Sequence, residues 1–288
     1  LMGNIHGQRI NADIPEPSGS GFIGRHHDDM INFNDRASQI VDIRQGPGGA
    51  IYMIDWYDLN QCHSPKRETH DYKTGRILRV GPVGLRIKAP DWGQGTPAEV
   101  AKLAIGEDAW MAAHARRRLQ ELGPGPAAEI ARALEPAAEV VDPTEQLRIL
   151  WAAHAAGLDD ESRLLKALRS SSEYERAWAI QLAAEKRDVS AALRSEFARL
   201  AKDDPSPRVR LYLASAAQRL PIDQRLPILE SLVTHGEDAS DHNLPLMIWY
   251  ALEPVVAAKP EAAATLLGTA NIPLLQEYIA RRMAAGAK

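Results

Sequence analysis

The sequence predicts a multidomain, mainly α chain in which a short β piece precedes an α-solenoid. Three observations carry this. Thirteen of the 20 glycines fall within residues 1–95, among short apolar runs bounded by turn residues. Beyond that point Ala, Leu, Arg and Glu take over and apolar residues recur with helical spacing. Two of the helical segments also align with one another at an offset of thirty-four residues.

The β piece is assigned to residues 1–80. Ile40-Val41-Asp42-Ile43, the turn Gly46-Pro47-Gly48-Gly49 and Ala50-Ile51-Tyr52-Met53-Ile54 spell strand, turn, strand. The second run is apolar throughout, which predicts burial on both faces. Arg76-Ile77-Leu78-Arg79-Val80 is a further strand, and Asn4–Ile10 and Gly21-Phe22-Ile23 are weaker ones. About four or five strands in this length is the content of one to two blades, hence a partial β-propeller that needs other structure to bury its edges. Gly46-Pro47-Gly48-Gly49 lacks a following Lys and Ser/Thr and leads into a strand, so it is a turn and not a phosphate loop.

Residues 81–97, punctuated by Gly81-Pro82, Gly84, Gly93 and Gly95, form the linker. Residues 98–288 form the helical repeat domain. Val209, Leu213, Ala216 and Leu220 make one stripe, and Ile222, Leu226, Leu229 and Val233 another. Ser206-Pro207 and Asp142-Pro143 start helices, and Ser172 with Glu175 spells a capping box. Gly157 ends a helix, with Asp159 or Asp160 opening the next, and Pro254 is expected to end another. Arg176-Ala177-Trp178-Ala179-Ile180 precedes Arg210-Leu211-Tyr212-Leu213-Ala214 by one repeat, and Asp204-Pro205-Ser206-Pro207-Arg208-Val209-Arg210 has the look of a HEAT repeat. The array is therefore a HEAT-like α-solenoid. Trp110, Trp151, Trp178 and Trp249 fall among apolar neighbours and are expected between helices.

Charge narrows the function. The formal net charge is −4, and residues 1–95 balance acids against bases. Without a basic stripe neither nucleic acid nor an anionic membrane surface is an expected partner. No stretch of about eighteen apolar residues is present, so no membrane-spanning segment is expected. No signal peptide opens the sequence, and Leu1–Ile5 has the character of the interior of a longer chain. A single cysteine, Cys62, leaves no internal disulfide and no Cys-x-x-Cys-His haem attachment.

The chemistry-bearing residues cluster after the second strand. Asp58, Cys62, His63, His70 and Asp71 are ligand types for a metal, but match no compact zinc spacing. The alternative is a long loop pinned by Asp and His hydrogen bonds. Asp55-Trp56-Tyr57 ends a strand, where a carboxylate and two aromatics either face a ligand or pack between layers. His6 is expected as a hydrogen-bonded strand residue, His26-His27-Asp28-Asp29 as a solvated loop, and Arg116-Arg117-Arg118 with Glu121 as a salt-bridged helix face.

From Gly46-Pro47-Gly48-Gly49 through Asp55-Trp56-Tyr57-Asp58, Cys62-His63, Asp71 and Gly75-Arg76-Ile77, the sequence resembles the last blade of the membrane-bound dehydrogenase propellers of planctomycetes and related bacteria. That family is itself similar to quinoprotein glucose and sorbosone dehydrogenases. Asp108-Ala109-Trp110, Asp241-His242-Asn243-Leu244-Pro245 and Ile279-Ala280-Arg281-Arg282 resemble the helical part of the same proteins. Gly48 stands where that family commonly has Asp, and Thr69-His70-Asp71 where a Trp-Asp pair is frequent. The resemblance implies the C-terminal fragment of a periplasmic, sugar dehydrogenase-like oxidoreductase. It implies pyrroloquinoline quinone (PQQ) and calcium in the full-length protein, a sugar substrate there, and a fragment inactive by itself. Asp55 and His63 would then be the catalytic candidates, Trp56 and Tyr57 the cofactor-binding ones, and Asp58, Cys62, His63 and Asp71 the metal ligands, with the array a docking surface. The competing expectation is a non-catalytic propeller/HEAT protein–protein interaction module, since a solenoid's extended face suits a protein partner.

Overall fold

A computed structural model describes residues 1–60, 64–87, 90–135 and 142–286. Contacts divide the chain into two compact units. One comprises Leu1–Glu16 with Ile23–Leu134, the other Pro17–Phe22 with Glu135–Lys288.

Among its described residues the first unit holds six strands in two three-stranded sheets. In the first sheet β1 (Met2–Asn4), β2 (Arg9–Ser18) and β3 (Gly21–Asn32) are neighbours in that order, with Gly3 opposite Ile10. The second is an antiparallel meander of β4 (Ile40–Gln45), β5 (Ile51–Asp55) and β6 (Arg76–Val80). Ile10, Ile40 and Met53 form a small core, with Ile31, Phe33, Ile43, Leu78 and Val80 packed around it. No closed propeller is present among the described residues. Helices α1 (Pro97–Ala104), α2 (Ala109–Leu122) and α3 (Ala127–Ala133) complete the unit. Asp108 caps α2 by accepting from Met111 N at 3.0 Å, and its other oxygen accepts from Gly48 N at 2.7 Å. The turn before β5 is thereby tied to α2.

Several expectations change here. β5 is not buried on both faces: Ile54 is 47% exposed, and Ile77 opposite it on β6 is exposed too. The meander therefore has one packed face, as antiparallel sheets commonly do. His6 lies in the turn between β1 and β2 rather than in a strand. His26-His27-Asp28-Asp29 is not a loop but the middle of β3, where His26 meets Asp13 and Asp29 takes Arg9 and Asn11 across the hairpin. Cross-strand pairs of this kind hold a polar hairpin together without apolar alternation.

Among the described residues of the second unit nine helices follow: α4 (Pro143–Ala155), α5 (Glu161–Ala167), α6 (Glu173–Ala183), α7 (Ala191–Asp203), α8 (Pro207–Ala217), α9 (Ile222–Leu232), α10 (Leu244–Ala258), α11 (Pro260–Thr269) and α12 (Pro273–Gly286). They form a helical repeat array. One layer runs α4, α6, α8, α10, α12, each packed on the next, and α5, α7 and α9 form the other. A single core runs from Leu147 to Ile279, with Phe197 among its fully buried members. Caps set the helix starts: Asp142, Asp160, Ser172, Ser190 and Ser206 each accept a first-turn N–H. The box expected at Ser172 is only half built. Ser172 accepts from Glu175 N, but its own N–H donates to Ser170 Oγ at 3.1 Å. Burial then pushes the Glu175 carboxyl above its usual range.

Pro254 does not end its helix but lies inside α10. The carbonyl deprived of a donor belongs to Tyr250, an exposed residue, and Arg225 Nη1 donates to the neighbouring carbonyl of Ala251 at 3.1 Å. Residues 17–22 belong to this unit through Ser20, whose N–H and Oγ both donate to the Asp241 carboxylate at 2.7 Å. Gly19, at φ 54°, faces the same carboxylate where any side chain would stand. Phe22 lies over the Arg208 guanidinium, which also covers Tyr174.

Candidate functional site

The loop after β5 contains two separate hydrogen-bond networks. Asp55, fully buried, accepts from Gln39 N at 2.8 Å, Tyr57 N at 3.0 Å, Ser38 Oγ at 3.2 Å and Arg76 Nη2 at 2.5 Å. Arg76 also stacks over the Tyr57 ring at 3.7 Å, and Tyr57 itself holds a left-handed backbone at φ 47°. These contacts join β4, β5 and β6 at one end. Trp56 sets its ring edge-on to His70 at 6.4 Å, and its buried Nε1 has no hydrogen-bond partner.

Asp58 centres the second network. Its oxygens accept from Asn60 N at 2.8 Å, Asp71 N at 2.9 Å and His70 Nδ1 at 3.1 Å. The Asn60 N–H does most to hold its carboxyl down to about 2; burial opposes this, while the Asp71 N–H and His70 add to it. A carboxylate so placed is ionised and already filled with donors, which makes it a clamp on the loop and a poor general base. The structure thus brings Asp58, His70 and Asp71 together, with Asp71 Oδ1 accepting from Lys73 N at 2.8 Å. Cys62 and His63 lie outside the described residues, and among the described residues no three His, Cys, Asp or Glu side chains converge as a metal site.

The array has a frame that its 34-residue period only hinted at. Arg176 grips Asp204 in a two-pronged ion pair at 2.7 and 2.9 Å, and Arg210 grips Asp238 at 2.7 and 2.6 Å. In each case Nη1 also donates to a carbonyl six residues upstream, Ser170 and Asp204 respectively. Both pairs are nearly solvent-free, so their geometry rather than their surface charge is what they contribute.

On this frame, α6, α8 and α10 line a groove of about 250 Å³. Its floor includes Leu211 and Met247, and Gln181, Tyr212, Ser215 and Arg219 supply the polar groups. Gln218 Nε2 contacts Met247 Sδ at 3.0 Å and fixes that wall. Trp151 meets Trp178 edge to face at 5.0 Å between α4 and α6, and Trp249 meets Tyr278 at 5.3 Å between α10 and α12, as expected of helix-packing tryptophans. None of the groove's polar groups was singled out as a site residue from the sequence.

A histidine joins successive repeats beside this face. His154 Nδ1 meets Asp159 at 2.6 Å and Nε2 meets Glu185 at 2.8 Å. The Asp159 hydrogen bond chiefly raises the imidazole above its ordinary value; burial opposes this, and the charges of both carboxylates add to it. A raised histidine stabilises the fold fully below its unfolded value of about 6.5 and loses that contribution as pH rises through the folded value. Wild type should therefore lead His154→Gln by up to about 1 kcal/mol near pH 6 in urea unfolding, and the gap should close toward pH 9. A gap independent of pH would show that the pair carries no such charge.

No family model matches the chain, and no curated protein does. Among solved structures, a designed armadillo repeat protein in complex with the peptide (KR)4 is similar at 15% identity and a TM-score of 0.41, over 67% of this chain and 98% of that one. Among the described residues no helix is long and apolar enough to cross a membrane.

Proposed function

We propose that this chain is a non-catalytic interaction module whose helical array takes a peptide segment of a protein partner along the α6–α8–α10 face. The observation that carries the reading is the groove itself. Gln181, Tyr212, Ser215 and Arg219 surround an apolar floor, and their side chains make no hydrogen bond or ion pair among the described residues. Polar groups set around an apolar floor suit a ligand that brings both kinds of contact. Helices cross-tied by Arg176–Asp204 and Arg210–Asp238 would hold such a surface with little rearrangement on binding. The carboxylates of the β5 loop point the same way, since Asp55 and Asp58 are already occupied by protein donors.

The test is a peptide array probed with the whole chain. Peptides that bind should compete with one another, and Tyr212→Ala should weaken them about tenfold or more while leaving the helical circular dichroism unchanged. Binding untouched by Tyr212→Ala, or no peptide bound at all, would end the reading.

A further inference from the structure

The groove's lining has one sign of chemistry. Its polar groups are a guanidinium, a carboxamide and two hydroxyls, all able to donate, and no carboxylate lines it. Glu185 and Arg219 occupy equivalent positions, each one residue past the C-cap of its helix, in α6 and α8. Glu185 is paired with His154 at 2.8 Å, whereas among the described residues no carboxylate answers Arg219. It is exposed and lines the groove together with Leu211 and Met247.

We infer that the α6–α8–α10 groove recognises a glutamate side chain of a partner peptide. This rests on the groove being a peptide site, and specifies what it reads. The carboxylate is met by the Arg219 fork with help from the Tyr212 and Ser215 hydroxyls, a charge-assisted arrangement that favours a planar anion. The methylene stem lies over Leu211 and Met247, which is why glutamate suits the site better than the shorter aspartate. Gln181 is left to hold the peptide's own amide groups.

The experiment follows the methionine methyl signals of the full chain by NMR, with Met247 identified through Met247→Leu. The probes are acetylated, amidated Gly-Ser-Leu-Ala-Glu-Ala-Leu-Ser-Gly and its twins with Gln or Lys in the central place. The Glu peptide should move the Met247 methyl with a Kd about tenfold below that of the Gln twin, and the Lys twin should bind more weakly than either. In Arg219→Ala the Glu and Gln peptides should become equal, and in Arg219→Glu the Lys twin should lead. Equal binding of Glu and Gln peptides by the wild-type chain would overturn the inference while leaving the peptide groove standing. No shift of Met247 with any probe at millimolar concentration would remove both.

Discussion

Asp238→Ala is expected to destabilise the helical array by about 3–5 kcal/mol, the cost of leaving a buried charge without its partner. Arg210 has only 4% of its side chain exposed, and both prongs of its fork end on Asp238 at 2.7 and 2.6 Å. The neighbouring Glu237 is at 3.7 Å and largely in water, too loose a replacement. Urea unfolding followed by helical circular dichroism reads the effect. The paired change Arg210→Met with Asp238→Leu should recover most of the loss, because an apolar pair avoids the desolvation that the single variant leaves unanswered. A single variant within about 1 kcal/mol of wild type would mean that water reaches Arg210 and that the rung does not hold the repeats.

Asp55→Ala is the second large effect, and falls on the sheets. It removes the acceptor of Gln39 N, Tyr57 N, Ser38 Oγ and the Arg76 guanidinium at once, inside a site with no solvent exposure. A loss of about 3–5 kcal/mol is expected, seen as faster hydrogen exchange of the β4–β6 amides while those of α6–α10 keep their protection. Asp55→Asn should lose less, since its carbonyl oxygen still accepts. If Asp55→Ala leaves β5 exchange unchanged, the carboxylate is not structural and its role as a reacting group would deserve the next experiment.

The parts of this fold that were legible in the sequence are those whose cause is local. Ser206-Pro207 and Asp142-Pro143 begin α8 and α4 because a cap and a first-turn proline act within one turn. Arg76–Val80 is β6 from end to end because its alternation and its flanks agree. The hairpin β2–β3 was largely missed: Pro15, Pro17 and six charged side chains mask its strands, and its tip is fixed by Asp241, more than two hundred residues away. At Ser172 the box failed because Ser170 took the donor that Glu175 needed. In the candidate loop, the carboxylates could be named in advance, but not that Asp55 would be filled by Gln39 and Arg76, or Asp58 by Asn60 and Asp71. Arg219 had a usable signal, a change of sign one 34-residue period after Glu185, which only becomes meaningful once the repeat is placed on α6 and α8.

The two-pronged pairs also define a grammar for lengthening such an array. Each is a term between one repeat and the next, contributed by an arginine in the first and an aspartate in the second, so neither helix pair owns it. The position that would carry the third arginine, the fourth residue of its helix as in α6 and α8, holds Met247 in α10. The sentence of repeats is therefore punctuated there: a unit copied in after α7 or after α9 would be read through in both directions, whereas one appended after α11 would find no cation waiting for its aspartate.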